Sequence, residues 1–273
     1  MGDLRSRVEA LWAPLRVSSS PADFERLDAF LATVTGDAPP QSLDTGQGYG
    51  PCPLHLPGLA PSPWCDPAGV EAADILKANW EEIRDEALAI YRAGDHLLQV
   101  ATEDEQRGWY QYFFWDFRLF SDGRRGAEQP CVRFDIPGQL DRCPATAAAL
   151  SHLNPYSQAG FLFLEPGGVI HPHKATANWL PVLHLGLKIP PDCGIRVADE
   201  ARTWGEGELL CFDHTFDHEA WNRSDEMRAV LFIRVLSPDL MPTERAAFRV
   251  MLEGLTARET RTIAQLTEGP YGA

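Results

Sequence analysis

The sequence predicts a mainly β fold with flanking helices, and three observations carry that expectation. Short β-prone runs recur from residue 109 onward. Gly, Pro, Asn and Asp punctuate them at intervals of roughly ten residues. Helical apolar spacing is confined to the two flanks of this region. Regular short strands with turn signals describe a β-sandwich or barrel of the jelly-roll kind.

The elements follow in order. Residues 3–15 place Leu4, Val8 and Leu11 at helical spacing, and residues 21–34 do the same with Phe24, Leu27, Phe30 and Leu31. "SSSPADF" supplies a cap-like start with Pro21 early in the second helix. The Gly/Pro/Ser-rich stretch 36–69 reads as extended chain whose Trp64 and leucines hold it to the body. Residues 70–93 form the clearest helix, with Ile75, Leu76, Trp80, Ile83, Leu88 and Tyr91 on its buried face. "WYQYFFWDFRLF" (109–120), "GFLFLEPGG", "GVIHPH", "VLHLGLKIP", "CGIRVAD", "GELLCFDHTFDHEAW" and "RAVLFIRVLSP" are the β runs. From Pro242 to Leu266 the pattern returns to helix, with "TARE" (256–259) as a capping box. The expected division is a helical N-terminal extension (1–50), a jelly-roll domain (51–241) and a C-terminal helical segment (242–273).

Composition narrows the function. A chain of 273 residues, 44% hydrophobic with eight Trp and thirteen Phe, can bury a sizeable core. Its formal charge of −15 repels phosphate backbones and anionic lipid, so no nucleic-acid or membrane partner is expected. The opening "MGDLRSRVEALWAPL" has no continuous apolar core and no small-residue cleavage site, and the longest apolar runs are too short to span a bilayer. Six cysteines form no C-x-x-C pair, which suits reduced thiols and a cytoplasmic protein. The oligomeric state is left open.

Five of the eight histidines, His171, His173, His184, His214 and His218, fall in or beside the β runs. Imidazole suits iron, zinc and copper. Non-haem Fe(II) oxygenases use two histidines and a carboxylate, written His-x-Asp/Glu on one strand with a distant second His. The two-residue step puts both groups on one strand face. "HKA" (173–175) has the step but carries Ala175 where the carboxylate belongs, and "HPH" (171–173) has the step with an imidazole at each end. Spacing alone leaves His171 and His173 as equal candidates. A helical H-E-x-x-H zinc motif, a nucleophile elbow, a P-loop and a dinucleotide fingerprint are all absent from the sequence. "GGV" and "GEG" read as turn glycines.

"FLEPGGVIHPHKATAN", "LHLGLKIPPDCGIRVADEARTWGEGELLCFDHTFDHEAWN" and "MRAVLFIRVLSPDL" resemble the aspartyl/asparaginyl β-hydroxylase family of Fe(II)/2-oxoglutarate dioxygenases, and "LPGLAPSPWCDP" and "NWEEIRDEALAI" resemble the start of that domain. The likeness runs over roughly residues 53–242. It implies a double-stranded β-helix, the cupin-like jelly roll, with Fe(II), 2-oxoglutarate and O2 as its cofactors. It also implies a two-histidine iron site without a carboxylate. By the match His173 and His218 hold the metal, and Ala175 is the family's small residue. His184 resembles the residue that contacts the 1-carboxylate of 2-oxoglutarate. Arg228 resembles the one that pairs with its 5-carboxylate, a task suited to the planar guanidinium fork.

The resemblance has departures. Members that act on aspartyl residues carry arginines at the places of Leu180 and Val182, and a serine at that of Leu162. A pocket without those cations disfavours an aspartyl carboxylate. The expected substrate is therefore a small molecule, amino acid or peptide of more apolar kind, hydroxylated at an unactivated C–H bond. Leu180, Val182, His214 and His171 are its candidate contacts. Asp213, Asp217 and Glu219 are expected to orient the ligating imidazole through its second nitrogen. Two alternatives stand beside this reading. One is a halogenase that uses the ligand position left open at Ala175. The other is a jelly roll that binds a ligand without turnover.

Overall fold

A computed structural model describes residues 2–39, 54–95, 97–99, 108–118, 132–153 and 158–260. Along the chain run α1 (Gly2–Ser18), a 3-10 turn (Pro21–Phe24), α2 (Glu25–Val34), β1 (Trp64–Cys65), α3 (Ala73–Ala78), α4 (Trp80–Ala93), β2 (Leu98–Gln99), β3 (Trp109–Arg118), β4 (Val132–Asp135), α5 (Pro144–Leu150), β5 (Ala159–Leu164), β6 (Val169–His173), β7 (Val182–Lys188), β8 (Cys193–Val197), β9 (Glu200–Arg202), β10 (Leu209–Phe212), β11 (His218–Asn222), β12 (Arg228–Arg234), α6 (Pro242–Leu255) and β13 (Ala257–Thr260).

The strands form two sheets. The larger has the order β1-β10-β7-β12-β5-β3-β4-β13, with β2 paired to β3. The smaller has the order β6-β11-β8-β9. From β5 to β12 the chain passes back and forth between them: β5, β7, β10 and β12 lie in the large sheet, and β6, β8, β9 and β11 in the small one. Two sheets, antiparallel save for the β4–β13 pair and laced in this way, are a double-stranded β-helix, the expected jelly roll.

The large sheet is covered on both faces, which explains why "VLHLGLK" and "RAVLFIR" read as near-continuous apolar runs. Leu183, Leu185, Leu187, Leu231 and Ile233 face outward with Phe161 and Phe163 and pack on Leu76, Ile83, Ala87 and Ile90 of α3 and α4. The alternate residues Val182, Val230, Leu162 and Leu164 face inward and meet Ile170, Ile195, Val197 and Ala220 of the small sheet. A third cluster joins α1, α2 and α6 to Leu54, Leu56, Leu59, Trp179 and Leu180. There Trp12 Nε1 donates to the Ala247 carbonyl at 2.9 Å, and Trp179 stacks on Phe248 with ring centroids 4.0 Å apart.

Three local expectations are corrected. The helix expected over 70–93 is broken in two: Asn79 leaves helical geometry (φ −110°, ψ 17°), and its side-chain amide donates to the Ile75 carbonyl, closing the end of α3. "TARE" does not cap a helix. α6 ends at Leu255, and Ala257–Thr260 instead pairs in parallel with β4. Edge pairing with an existing strand outweighs a weak local capping signal; the stretch on to Leu266 lies outside the described residues. The helix expected from Pro21 begins as a 3-10 turn, with the Ser20 amide donating to the Asp23 carboxylate. The Pro-rich segment does hug the body over its described part. Leu56 exchanges two hydrogen bonds with the Asn178 side chain, and Trp64 pairs with Phe212 as β1 joins β10.

Candidate active site

Two imidazoles stand together at one end of the barrel. His173 ends β6 and His218 opens β11, and the two are register partners with ring centroids 4.1 Å apart. The pairing between these strands slips by one residue: Ile170 opposes Ala220, yet His173 opposes His218. Three steps on β6 therefore match two on β11, which is a β-bulge. Pro172, which has no N–H to give to a ladder, sits in it. The bulge turns His173, rather than His171, onto the inward face of Ile170. This separates the two histidines that strand alternation alone leaves equivalent.

Both rings are held in one tautomer by backbone. His173 Nδ1 lies 2.8 Å from the His171 carbonyl, and His218 Nδ1 lies 2.9 Å from that of Phe216. A carbonyl only accepts, so each Nδ1 carries the proton and each Nε2 keeps its lone pair. Burial, followed by the nearby His173 ring, pushes His218 down to about 4, so it is neutral at ordinary pH. The expected carboxylate orienters do something else. Asp217 and Glu219 grip the Arg196 guanidinium at 3.0 and 2.5 Å, and Asp213 caps the turn through the Thr215 amide and hydroxyl. Strand alternation explains this: residues on either side of His218 face away from it. Among the described residues no three His, Cys, Asp or Glu converge as a metal-binding group. Ala175 sits beside the pair, its amide donating to the His214 carbonyl at 2.8 Å.

The deep end of the lumen belongs to the large sheet. His184 on β7 pairs laterally with Leu210 and Phe232. Trp204 Nε1 lies 3.3 Å from His184 Nδ1. Indole only donates, so His184 Nδ1 accepts and its Nε2 bears the proton, a donor facing the lumen. Burial, then the charge of Arg228, holds His184 well below the ordinary histidine range, so it stays neutral.

Arg228 begins β12 opposite Leu164. It is 1% exposed, and its Cζ lies 4.9 Å from the centre of the Trp204 ring. Its Nε and Nη1 have no hydrogen-bond partner. Burial pushes its pKa down to about 10, so at neutral pH it remains a cation. A buried cation that lacks a protein anion costs several kcal/mol. Such a group fits an anion brought from outside, and a guanidinium with unused N–H donors suits a carboxylate.

Trp204 connects His184 with Arg228, yet nothing in the sequence reading singles it out. Its signal lies in "HLGL". The Gly186 amide donates to the Glu208 carbonyl, and the Gly207 amide donates back to that of Gly186. A Cβ on Gly186 would come within 2.2 Å of the Gly205 oxygen. The glycine thus lets "TWGEGE" cross over β7 and carry its indole into the lumen.

The remaining candidates separate. Val182 and Leu162 line the lumen, whereas Leu180 packs into the helical cluster with Trp179. His214 is buried at 3% exposure, and its Nε2 has no hydrogen-bond partner. His171 is half-buried and contributes its carbonyl to His173.

The jelly roll thus carries two tautomer-locked imidazoles at its mouth and a buried guanidinium at its floor. Comparison with known proteins identifies the family. Residues 77–238 match the family model described as aspartyl/asparaginyl beta-hydroxylase, and the chain belongs to that family. It is 32% identical over 198 residues to the human aspartyl/asparaginyl beta-hydroxylase, covering 70% of this chain and 25% of that protein. It is 36% identical over 160 residues to the Rhizobium tropici ornithine lipid ester-linked acyl 2-hydroxylase, covering 57% of each. It is 32% identical over 209 residues to the Xenopus tropicalis aspartate beta-hydroxylase domain-containing protein 2, covering 71% of this chain and 52% of that one. The chain thus spans between a quarter and just over half of these relatives. A solved cupin-2 domain from Rhodospirillum rubrum is similar with a TM-score of 0.30 and 13% identity, covering 51% of this chain and 68% of that one. No helix among the described residues is long and apolar enough to cross a membrane.

Proposed function

We propose that this hydroxylase is an Fe(II)/2-oxoglutarate-dependent dioxygenase that hydroxylates an unactivated C–H bond of a small molecule, amino acid or peptide. The observation that carries the reading is Arg228: a buried, charged guanidinium whose Nε and Nη1 have no hydrogen-bond partner. The residues fit both cofactors. Neutral imidazoles with free Nε2 lone pairs, His173 and His218, would hold the iron. The His184 Nε2–H would donate to one carboxylate of 2-oxoglutarate and Arg228 would take the other.

When bound, iron and 2-oxoglutarate supply the oxidising power that activates O2 for attack on the C–H bond. The chain's own share is positioning and exclusion of water. The Phe216 and His171 carbonyls keep the two ligand rings from rotating. Trp204 fixes the His184 tautomer and covers the Arg228 guanidinium. Val182, Val230, Leu162 and Phe212 wall the lumen with apolar surface, which keeps water out and strengthens every charge contact inside.

Substrate-dependent succinate formation is the test, measured with the Fe(II)-loaded protein. His173→Ala should abolish it, and undiminished turnover in that variant would sink the assignment. Product mass with and without chloride separates hydroxylation from halogenation at the position open beside Ala175. The human relative's name gives aspartyl and asparaginyl substrates, and the Rhizobium tropici relative's name gives an ester-linked acyl chain. With Leu180 just before β7 and Val182 at its start in place of cations, the chain offers an aspartyl carboxylate no positive charge at those two places.

A further inference from the structure

One pair of nucleophilic groups lies outside the metal and carboxylate chemistry. Cys65 on β1 and Cys211 on β10 face each other directly across an antiparallel ladder. Their neighbours Trp64 and Phe212 are likewise opposed and turn into the lumen. Both cysteines therefore turn outward, toward the face covered by Leu76 and Ile83. Both are free thiols, and their sulfurs lie in hydrogen-bond contact at 2.6 Å. Opposed residues of an antiparallel ladder hold their Cα atoms roughly 4.5–5.5 Å apart. A disulfide spans Cα separations of roughly 4.4–6.8 Å. The backbone thus meets the requirement for a bond with neither strand moved.

The pair sits at the side seam of the barrel. β1 is the outer strand of the large sheet at one end, and β9 is the outer strand of the small one. Trp64 reaches between them. Its ring lies under Arg202 of β9, with Cζ 4.2 Å from the ring centre, and it meets Phe212 edge-on at 5.9 Å. Phe212 in turn contacts the His184 and His218 rings, with centroids 5.2 and 5.6 Å away. β1 therefore closes the seam directly behind the candidate site. Its ladder has only two residue pairs, and so short an edge opens at little cost. A bond between Cys65 and Cys211 would join positions 146 residues apart. A cross-link over so long a loop removes much of the freedom of the unfolded chain.

We propose that Cys65 and Cys211 are a redox modification site, which a low-molecular-weight disulfide converts to an intramolecular disulfide that locks β1 onto β10. Cys65 is half-buried at the sheet edge, so the reagent meets it first. Its thiolate attacks one reagent sulfur, forms a mixed disulfide and releases one thiolate. Cys211, 1% exposed, is screened from the reagent but lies against Cys65. Its thiolate attacks the Cys65 sulfur and releases the second reagent thiolate. Two electrons pass from the protein sulfurs to the reagent, and the two protein protons end on the two released thiols. The hydrogen bond shared with Cys211, then burial, holds the Cys65 thiol above its ordinary range. Exchange is therefore slow at neutral pH and quickens as pH rises. Both sulfurs point away from the lumen, so the lock leaves the inward side chains in place, and it holds whatever the cofactor or substrate.

The test equilibrates the full chain with 2-hydroxyethyl disulfide and 2-mercaptoethanol at roughly pH 8.5, where a free thiol is half ionised. The wild type should lose the mass of two hydrogens and yield one cross-linked peptide pair carrying Cys65 and Cys211. Its thermal midpoint should rise by about 5–10 °C over the reduced protein. Amide hydrogen exchange over residues 63–66 should slow about tenfold or more. Cys211→Ser should stop at a mixed disulfide on Cys65, with no rise in midpoint. Cys65→Ser, the milder change because the site is half-buried, should leave Cys211 unmodified and serves as the control if Cys211→Ser does not fold. A lasting mixed disulfide on wild-type Cys65 would overturn the proposal. So would a bond from Cys65 to any other of the six cysteines, an unchanged midpoint after cross-linking, or the same rise in Cys65→Ser. A native protein that stays reduced under conditions that oxidise its urea-unfolded chain would overturn it as well.

Discussion

The large sheet and the small sheet each contribute two side chains to the candidate site, and they hold them by different means. His184 and Arg228 rise from β7 and β12, which are central strands in mostly regular register. His173 and His218 come from β6 and β11, where the register slips. On the large sheet the side chains are aimed by alternation, and an indole from a crossing loop keeps them in place. On the small sheet a bulge aims the ring, and backbone carbonyls keep it there. The first arrangement leaves a charge buried and waiting for a partner. The second leaves lone pairs at a half-open mouth. An obligatory dicarboxylate suits the first, while a metal that must exchange ligands and admit substrate suits the second.

The sharpest way to break this contrast is Arg228→Met. If the buried cation exists to receive a carboxylate, 2-oxoglutarate affinity should fall by about 100-fold or more, or roughly 3 kcal/mol. The ligand-free protein should meanwhile gain about 1 kcal/mol in urea unfolding, since an unpaired buried charge has gone. A ligand-free protein made less stable by this change would mean that the guanidinium has an internal partner.

Gly186→Ala tests the crossing loop. The added methyl meets the Gly205 oxygen, so β7 and the loop must part, with an expected cost of about 2–3 kcal/mol in unfolding free energy. Weaker 2-oxoglutarate binding should accompany it, because Trp204 moves with the loop; stability loss without that weakening would separate Trp204 from the site.

Proton linkage compares the ends next. Burial holds His184 and His214 neutral well below the ordinary range, and His218 down to about 4. An unfolded histidine takes its proton near pH 6.5, roughly. Below that pH the unfolded chain binds more protons than the folded one, so these rings stabilise the fold above pH 6.5 and lose that contribution as pH falls. Each should add up to about 1.4 kcal/mol per pH unit to the slope for the metal-free protein. Urea midpoints at pH 7.5, 6.5 and 5.5 measure it, and His184→Gln should flatten the curve.

The smallest effect is expected from Trp204→Phe. It keeps most of the ring over Arg228 and removes the donor to His184, a loss of about 1 kcal/mol in 2-oxoglutarate binding. A 15N chemical shift of the His184 ring should then show both tautomers; a single unchanged tautomer would mean that another group fixes it.

Much of this was legible before the structure. The strands, the jelly roll and the inward face of "VLHLGLK" follow from apolar runs and alternation, since a two-residue period needs only local sequence. What lay beyond reach depends on register. Nothing within "HPHKA" announces the slip that selects His173, because a bulge is defined by the partner strand. The split at Asn79 and the strand formed by "ARET" are likewise decided by what packs alongside. Leu180 and Val182 look alike in sequence yet part company in space, since β7 begins between them.

The stacking of Trp179 on Phe248 has a practical consequence. Trp179 lies on the connection from His173 to β7, and Phe248 belongs to α6, beyond the 77–238 match. A chain trimmed to the matched residues would strip α1, α2 and α6 from this connection and turn Trp179 and Leu180 toward water. The loss would be felt first as fraying next to His173, the proposed metal ligand, because the segment behind it would have no buttress. The helices at either flank therefore belong inside the boundary of any functional unit, although the family match leaves them out.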